Sequence, residues 1–157
     1  MPLAGPLASE RWGRLPSSPP PPTIIPMSVP SLIQMMGELI AAPSMSSVSP
    51  AFDTGNRGVI DKLAGWLEEL GFAVEILPLP DQPEKANLIA TLGSGPGGLV
   101  LAGHTDTVPY DEDRWNFDPF RLTEADGKLY GLGTCDMKGF LALAIDAARE
   151  LSASQLH

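Results

Sequence analysis

The feature that most constrains the fold is a run of four apolar residues, 99–102, ended by Gly103. A short apolar run bounded by glycine is typical of a buried strand. His104 and Asp106 follow two positions apart, so they point to the same side if the strand conformation continues. The pattern therefore predicts an imidazole and a carboxylate at the carboxyl end of a strand, where open α/β sheets bind ligands.

A second glycine-rich piece, residues 131–139 (GLGTCDMKG), opens an apolar segment that reaches residue 151. Its Asp136 precedes a predicted helix and can reach the same site from a neighbouring strand end. Imidazole and carboxylate groups are zinc ligands, and a second carboxylate often orients a ligating histidine. Asp106 is then the orienting group or a ligand itself. Alone, His104 and Asp106 would more often be a solvated or structural pair, and Asp136 could simply cap a helix. Together, the three residues favour a metal site.

The sequence also resembles a known family in four pieces of fixed order. These are residues 103–109 (GHTDTVP), Trp115 with 118–120 (DPF), 126–131 (DGKLYG) and 136–139 (DMKG). They resemble the co-catalytic zinc amidohydrolases, which include aminoacylases and related carboxypeptidases. The resemblance runs from about residue 27 to the end. Three shorter pieces, at 39–44, 63–67 and 131–134, are similar to the branch that deacetylates amino acids.

The resemblance implies a three-layer α/β/α zinc-hydrolase catalytic domain with a mixed sheet, of which the chain holds the N-terminal portion. It implies two zinc ions, for which cobalt is a possible substitute. His104 would bind one zinc, Asp136 would bridge both, and Asp106 would orient His104. The family's general base, a glutamate, and its remaining ligands lie further along and match no residue here. We therefore expect the chain alone to have negligible activity.

The implied reaction is hydrolysis of the amide bond of a small N-acetylated amino acid. The alternatives are removal of a succinyl group from a diamino acid, removal of acyl groups from amino acids generally, or an inactive truncated domain. The resemblance also implies a homodimer for the full-length protein.

Composition excludes several other partners. The net charge of −9 and the pI near 4.5 argue against binding nucleic acid or an anionic membrane. The single cysteine cannot form an internal disulfide, which favours a cytoplasmic protein. No apolar stretch approaches the roughly 20 residues that span a bilayer.

The chain divides at about residue 26. Residues 1–26 hold eight of the 17 prolines, a composition that cannot build a packed core. We expect them to be a disordered tail or a spurious extension with the true start at Met27. Residues 27–157 are predicted to be the N-terminal part of the catalytic domain.

Hydrophobic periodicity predicts the elements of this second part. A helix begins near Ser28 or Ser31 and is stopped by Pro43, and a second runs from about 56 to 70. Strands follow at 72–77 and at 86–92, and Pro78 and Pro80 either restrict the first strand to a sheet edge or end it. A hairpin over 121–130 turns at Asp126 and Gly127. A helix over 139–151 is predicted to lie buried against the sheet.

Several further residues invite a functional interpretation that we consider weaker. Cys135 is expected to be a small buried thiol rather than a nucleophile. Lys138 either neutralises charge near Asp136 or lies on the surface. Glu150 is expected to face solvent, and His157 to be idle. Three aromatic residues are expected to pack a loop onto the sheet rather than to form a substrate box: Trp115, Phe117 and Phe120.

Overall fold

The structure, a computed structural model, describes residues 29–151. Its helices are α1 (Leu32–Ala41), α2 (Arg57–Glu69) and α3 (Lys138–Ala148), with a short 3-10 turn at Glu112–Arg114. Its strands are β1 (Ala73–Leu79), β2 (Gln82–Thr91), β3 (Thr123–Ala125) and β4 (Lys128–Tyr130). The mixture of helices and strands confirms the α/β class. The expectations for residues 1–26 and His157 lie outside the described residues.

Helix α1 begins as its sequence predicts. The Ser31 hydroxyl accepts a hydrogen bond from the Gln34 backbone N–H, and the Gln34 side chain accepts one from the Ser31 N–H. This reciprocal pair satisfies N–H groups that have no partner within the helix. The helix ends at Ala41, two residues before Pro43.

Helix α2 also lies where periodicity places it, and Gly71, just beyond its end, adopts a left-handed φ of +86°. One face each of α1, α2 and α3 together form the core. The buried members of that core are Met35, Met36, Leu39, Val59, Leu63, Trp66, Ala142 and Ile145.

Strands β1 and β2 form an antiparallel hairpin on which α2 packs. The predicted edge position of the first strand is confirmed, because β1 lies in a two-stranded sheet, whereas an end before Pro78 is wrong, because β1 continues to Leu79. In a two-stranded sheet one side of each strand is unpaired, so a proline can be accommodated without losing a ladder bond. The pairing register shifts between Pro78 and Leu79, as expected where proline perturbs a ladder.

The second hairpin, β3 and β4, confirms the predicted turn. Asp126 and Gly127 both have positive φ, +52° and +68°. That combination is the one that joins strands through a two-residue turn.

The predicted buried strand at 99–102 is not formed. Leu99 and Val100 are 84% and 86% exposed, and neither of the two hairpin sheets includes them. A central strand needs backbone partners on both sides, and apolar composition cannot replace them. Among the described residues the strands therefore make two separate two-stranded antiparallel sheets rather than one mixed sheet. Five residues beyond this run, Thr107 forms an isolated parallel bridge with Met45.

Helix α3 is shorter and less buried than predicted. It packs against α1 rather than against a sheet, and Leu143 on its outer face is 53% exposed. No helix in residues 29–151 combines the length and the apolar character needed to cross a membrane.

Candidate metal centre

The structure brings both predicted site aspartates, Asp106 and Asp136, close to the imidazole ring of His104. The His104 Nε2 atom lies 3.0 Å from Oδ1 of Asp136, although the two residues are 32 positions apart in sequence. On the other side of the ring, Nδ1 lies 3.0 Å from the backbone oxygen of Asp106 and 3.2 Å from its Oδ1 atom. His104 thus has one nitrogen turned to each aspartate.

His104 and Asp106 owe their position to the loop after α1 rather than to a strand. The Ser44 hydroxyl donates to the Thr105 carbonyl at 2.7 Å. The Thr107 N–H donates to the Ser44 carbonyl at 2.9 Å. Ser44 is 1% exposed, so these bonds are shielded from water. They hold the backbone on both sides of Asp106.

Asn56, at the start of α2, adds a further tie to this segment. Its side-chain amide donates to Oγ1 of Thr105 at 2.8 Å and to the Ala86 carbonyl at 2.9 Å. Its oxygen accepts from the Ala86 N–H at 2.8 Å. Sequence reasoning missed Asn56 and Ser44 as site-supporting residues. No local pattern could have identified them, since their partners are 30 to 63 positions away.

Asp136 lies in a turn that is closed by its own backbone. The Gly139 N–H donates to the Gly133 carbonyl at 3.1 Å, and the Asp136–Met137 peptide bond is cis. The alternative role of Asp136 as a helix cap is wrong, because Met137 is the N-cap of α3 and no side chain caps it. The Asp136 side chain is 87% exposed and faces His104.

The electrostatics of the ring follow from these contacts. Burial of the imidazole lowers its pKa, but hydrogen bonding to the Asp106 carbonyl and to the Asp136 carboxylate outweighs that effect. The pKa of His104 is therefore raised above its ordinary value.

The donor atoms fit a zinc ion. In a neutral imidazole with its proton on Nδ1, facing Asp106, the Nε2 lone pair would be available to a metal ion in place of the hydrogen bond to Asp136. A ring nitrogen and a carboxylate oxygen are both first-choice zinc donors. Among residues 29–151 no three His, Cys, Asp or Glu side chains converge as a set that could hold an ion. His104 and Asp136 thus supply two donors.

Two neighbours of Asp136 differ from expectation. The predicted surface position of Lys138 is wrong, because the residue is 1% exposed and its Nζ atom donates to the Ala42 carbonyl at 2.6 Å. Burial lowers the pKa of Lys138 to about 8. Cys135 is exposed, so the prediction of a buried thiol is also wrong.

Phe117, Phe120 and Glu150 agree with their predictions. The Phe117 ring packs on Tyr130 of β4 with centroids 4.7 Å apart, and the Phe120 ring meets Tyr110 edge-on at 5.3 Å. These contacts are packing of the loop. Glu150 is exposed to solvent.

Comparison with known proteins is consistent with this centre. Residues 100–157 match the model of peptidase family M20/M25/M40, and this range contains His104, Asp106 and Asp136. Over these residues the chain is similar to that family, which confirms the resemblance predicted from the motifs.

Within the family the chain is similar to acetylornithine deacetylases. It is 59% identical over 128 residues to the enzyme of Pasteurella multocida (strain Pm70), covering 82% of this chain and 34% of the relative. It is 57% identical over 130 residues to the enzyme of Proteus mirabilis (strain HI4320), covering 83% and 34%. The chain therefore spans about a third of the length of these curated relatives.

A solved structure of another protein has a similar fold. Human carnosine dipeptidase 1 superposes with a TM-score of 0.65 at 32% identity, over 80% of this chain and 29% of that one. The described elements thus have a fold similar to part of that structure.

Proposed function

We propose that the whole protein hydrolyses the acetyl-amide bond of N2-acetyl-L-ornithine, releasing ornithine and acetate in arginine biosynthesis. The observation that carries this proposal is the identity of 52–59% to curated acetylornithine deacetylases. The proposal includes zinc as the metal, a homodimeric whole protein and a cytoplasmic location. These three features rest on the resemblance and, for zinc, on the donor atoms at the site.

The described residues have distinct roles in this proposal. His104 would hold a metal ion through Nε2, and Asp136 would hold metal through its carboxylate. Asp106 accepts the Nδ1–H of His104, which fixes the tautomer that leaves Nε2 free to bind. When bound, zinc polarises the amide carbonyl and lowers the pKa of a bound water.

The wide exposure of the pair is in keeping with a substrate-binding role. The His104 and Asp136 side chains are 46% and 87% exposed, so a small amino-acid derivative can approach them from solvent. Hydrolysis also requires a group that moves protons between water and the leaving amine. The family resemblance assigns that group to a later glutamate, so we expect negligible turnover from the 157-residue chain by itself.

The metal centre is tested by zinc titration of the purified chain and three variants. We expect His104→Ala and Asp136→Ala to lose zinc binding, because each removes one of two donors. Asp113→Ala is the matched control, since Asp113 is an exposed aspartate in the 3-10 turn. Zinc affinity that is the same in all four proteins would refute the centre.

The substrate is tested on a protein of the relatives' full length that contains this chain. Its kcat/KM is measured for N2-acetyl-L-ornithine, for N-succinyl-diaminopimelate and for other N-acetylated amino acids. We expect acetylornithine to be preferred. A higher kcat/KM for the succinylated compound would replace the proposed substrate but leave the metal centre in place.

A further inference from the structure

We propose that residues 42–44, here called the linking segment, set the separation between the two metal donors His104 and Asp136. The inference rests on the proposed metal centre and goes beyond it. It assigns a positioning role to Ser44, Lys138 and Pro43, which make no contact with a substrate or a metal in this proposal.

The linking segment holds the His104 side of the centre through Ser44. The Ser44 side chain and backbone bond to Thr105 and Thr107, at 2.7 and 2.9 Å, on either side of Asp106. Thr105 is also the residue next to His104. A shift of Ser44 would therefore move both the ligating imidazole and the aspartate that orients it.

The same segment holds the Asp136 side through Ala42. The Ala42 carbonyl accepts the hydrogen bond from Nζ of Lys138 at 2.6 Å, and Lys138 lies two residues after Asp136. With 1% of its surface exposed, Lys138 has no competing water contact to replace this bond. Lys138 thereby ties the first turn of α3 to the end of α1.

In the described residues the two donor loops, 103–109 and 131–139, meet through the His104–Asp136 contact itself and through packing. None of their backbone hydrogen bonds joins 103–109 directly to 131–139. They do approach closely at Gly133, where an added Cβ would lie 3.2 Å from both the Thr107 methyl group and Cδ of Lys138. The His104–Asp136 contact joins only the donor side chains, whereas the hydrogen bonds through residues 42–44 fix both loops to one short piece of chain.

Pro43 makes that short piece stiff. It lies between the two anchor residues Ala42 and Ser44, and its ring fixes φ near −65°. The anchors therefore cannot rotate freely about the residue that joins them. We infer that the linking segment transmits one fixed spacing from the Lys138 ammonium to the Thr105 carbonyl.

The test is the zinc affinity of variants of the full 157-residue chain, measured by competition with a chromogenic chelator. Ser44→Ala removes the bond to Thr105, and Ser94→Ala is the control, since Ser94 lies exposed in the turn after β2. We expect Ser44→Ala to weaken zinc binding about 10- to 100-fold, as is usual when a group that orients a ligand is lost. Ser94→Ala should bind zinc like the parent chain.

Lys138→Met gives an independent test at the other anchor. It keeps the buried aliphatic stem but removes the donor to Ala42. Loss of a positive charge near Asp136 would by itself strengthen cation binding. Weaker zinc binding by Lys138→Met would therefore report lost positioning rather than a change in charge.

The visible spectrum of bound cobalt(II) reports the geometry of the metal ligands and does not depend on the overall stability of the chain. We expect Ser44→Ala and Lys138→Met, at saturating cobalt, to shift the ligand-field bands relative to Ser94→Ala. Parent-like zinc affinity and spectra in both anchor variants, with His104→Ala still abolishing binding, would overturn the linking role and leave the metal centre intact. Parent-like binding by His104→Ala would instead overturn the centre itself. If Ser44→Ala fails to fold, Lys138→Met decides by the same two measurements.

Discussion

Replacing Gly139 by alanine tests how closely the Asp136 turn is packed onto α3. A Cβ atom at Gly139 would overlap the backbone oxygen of Thr134 and lie 3.2 Å from Cε of Met36. The methionine end can move aside, but the Thr134 carbonyl belongs to the turn that carries Asp136. Gly139→Ala must therefore displace either that turn or the first turn of α3.

The expected magnitude follows from opposing contributions. Alanine in a helix is favoured over glycine by about 1 kcal/mol. Overpacking a close contact costs about 1–3 kcal/mol. Weakening the bond from the Gly139 N–H to the Gly133 carbonyl, now 3.1 Å long, removes about 1 kcal/mol more. We expect Gly139→Ala to lower the free energy of unfolding by about 1–3 kcal/mol.

Gly65→Ala is the matched control because it makes the same change inside a helix with open space around it. No heavy atom lies within 4 Å of a Cβ built at Gly65. We expect Gly65→Ala to raise the free energy of unfolding by about 0.5–1 kcal/mol. Urea unfolding at equilibrium, followed by circular dichroism with the slope compared between proteins, measures both. Stabilisation by both substitutions would refute the close packing of Gly139.

Three further predictions concern stability. Leu99→Ser should change the free energy of unfolding of this chain by less than about 0.5 kcal/mol, because the side chain is exposed. A loss above about 2 kcal/mol in urea unfolding would instead show that Leu99 is buried. Gly127→Ala should lower the free energy of unfolding by about 1 kcal/mol in the same assay, because the φ of +68° at Gly127 disfavours a side chain. An unchanged free energy of unfolding would contradict the turn. The third prediction concerns pH and is tested with metal removed by chelation. The free energy of unfolding of the parent chain, relative to that of Lys138→Met, should rise between about pH 8 and pH 10.5. In that range Lys138 keeps its proton in the unfolded chain but has lost it in the folded chain. A flat difference in melting temperature over that pH range would contradict the burial of Lys138.

Elements fixed by local chemistry were predictable from the sequence. The capping box at Ser31, the apolar stripes of α1 and α2, and the turn at Asp126 and Gly127 each depend on residues a few positions apart. Side-chain periodicity and turn geometry are sufficient to specify such elements. The segment at 99–102 shows the opposite case, because a central strand depends on partners that its own residues do not encode.

The candidate site likewise contains residues that the sequence could predict and residues that it could not. His104, Asp106 and Asp136 could be proposed from residue type and motif. The structure places the two aspartates on opposite sides of the His104 ring. Their support could not be proposed, because it consists of bonds across long stretches of sequence. Lys138 is the clearest example: a lysine in the first turn of a helix is ordinarily solvent-exposed, yet here it reaches a carbonyl 96 positions away.

The long-range contacts explain why the site's position does not require a formed strand at 99–102. Ser44 and Asn56 fix the Thr105 backbone and side chain to the end of α1 and the start of α2. Both helices belong to the buried core, so the donor loop takes its position from the helices. A polar cavity of about 240 Å³ borders Asp106 between this loop and β2. We therefore expect substitutions at Ser44 or Asn56 to affect metal binding more than equally drastic changes at exposed Leu99 or Val100, although those two lie closer to His104 in sequence.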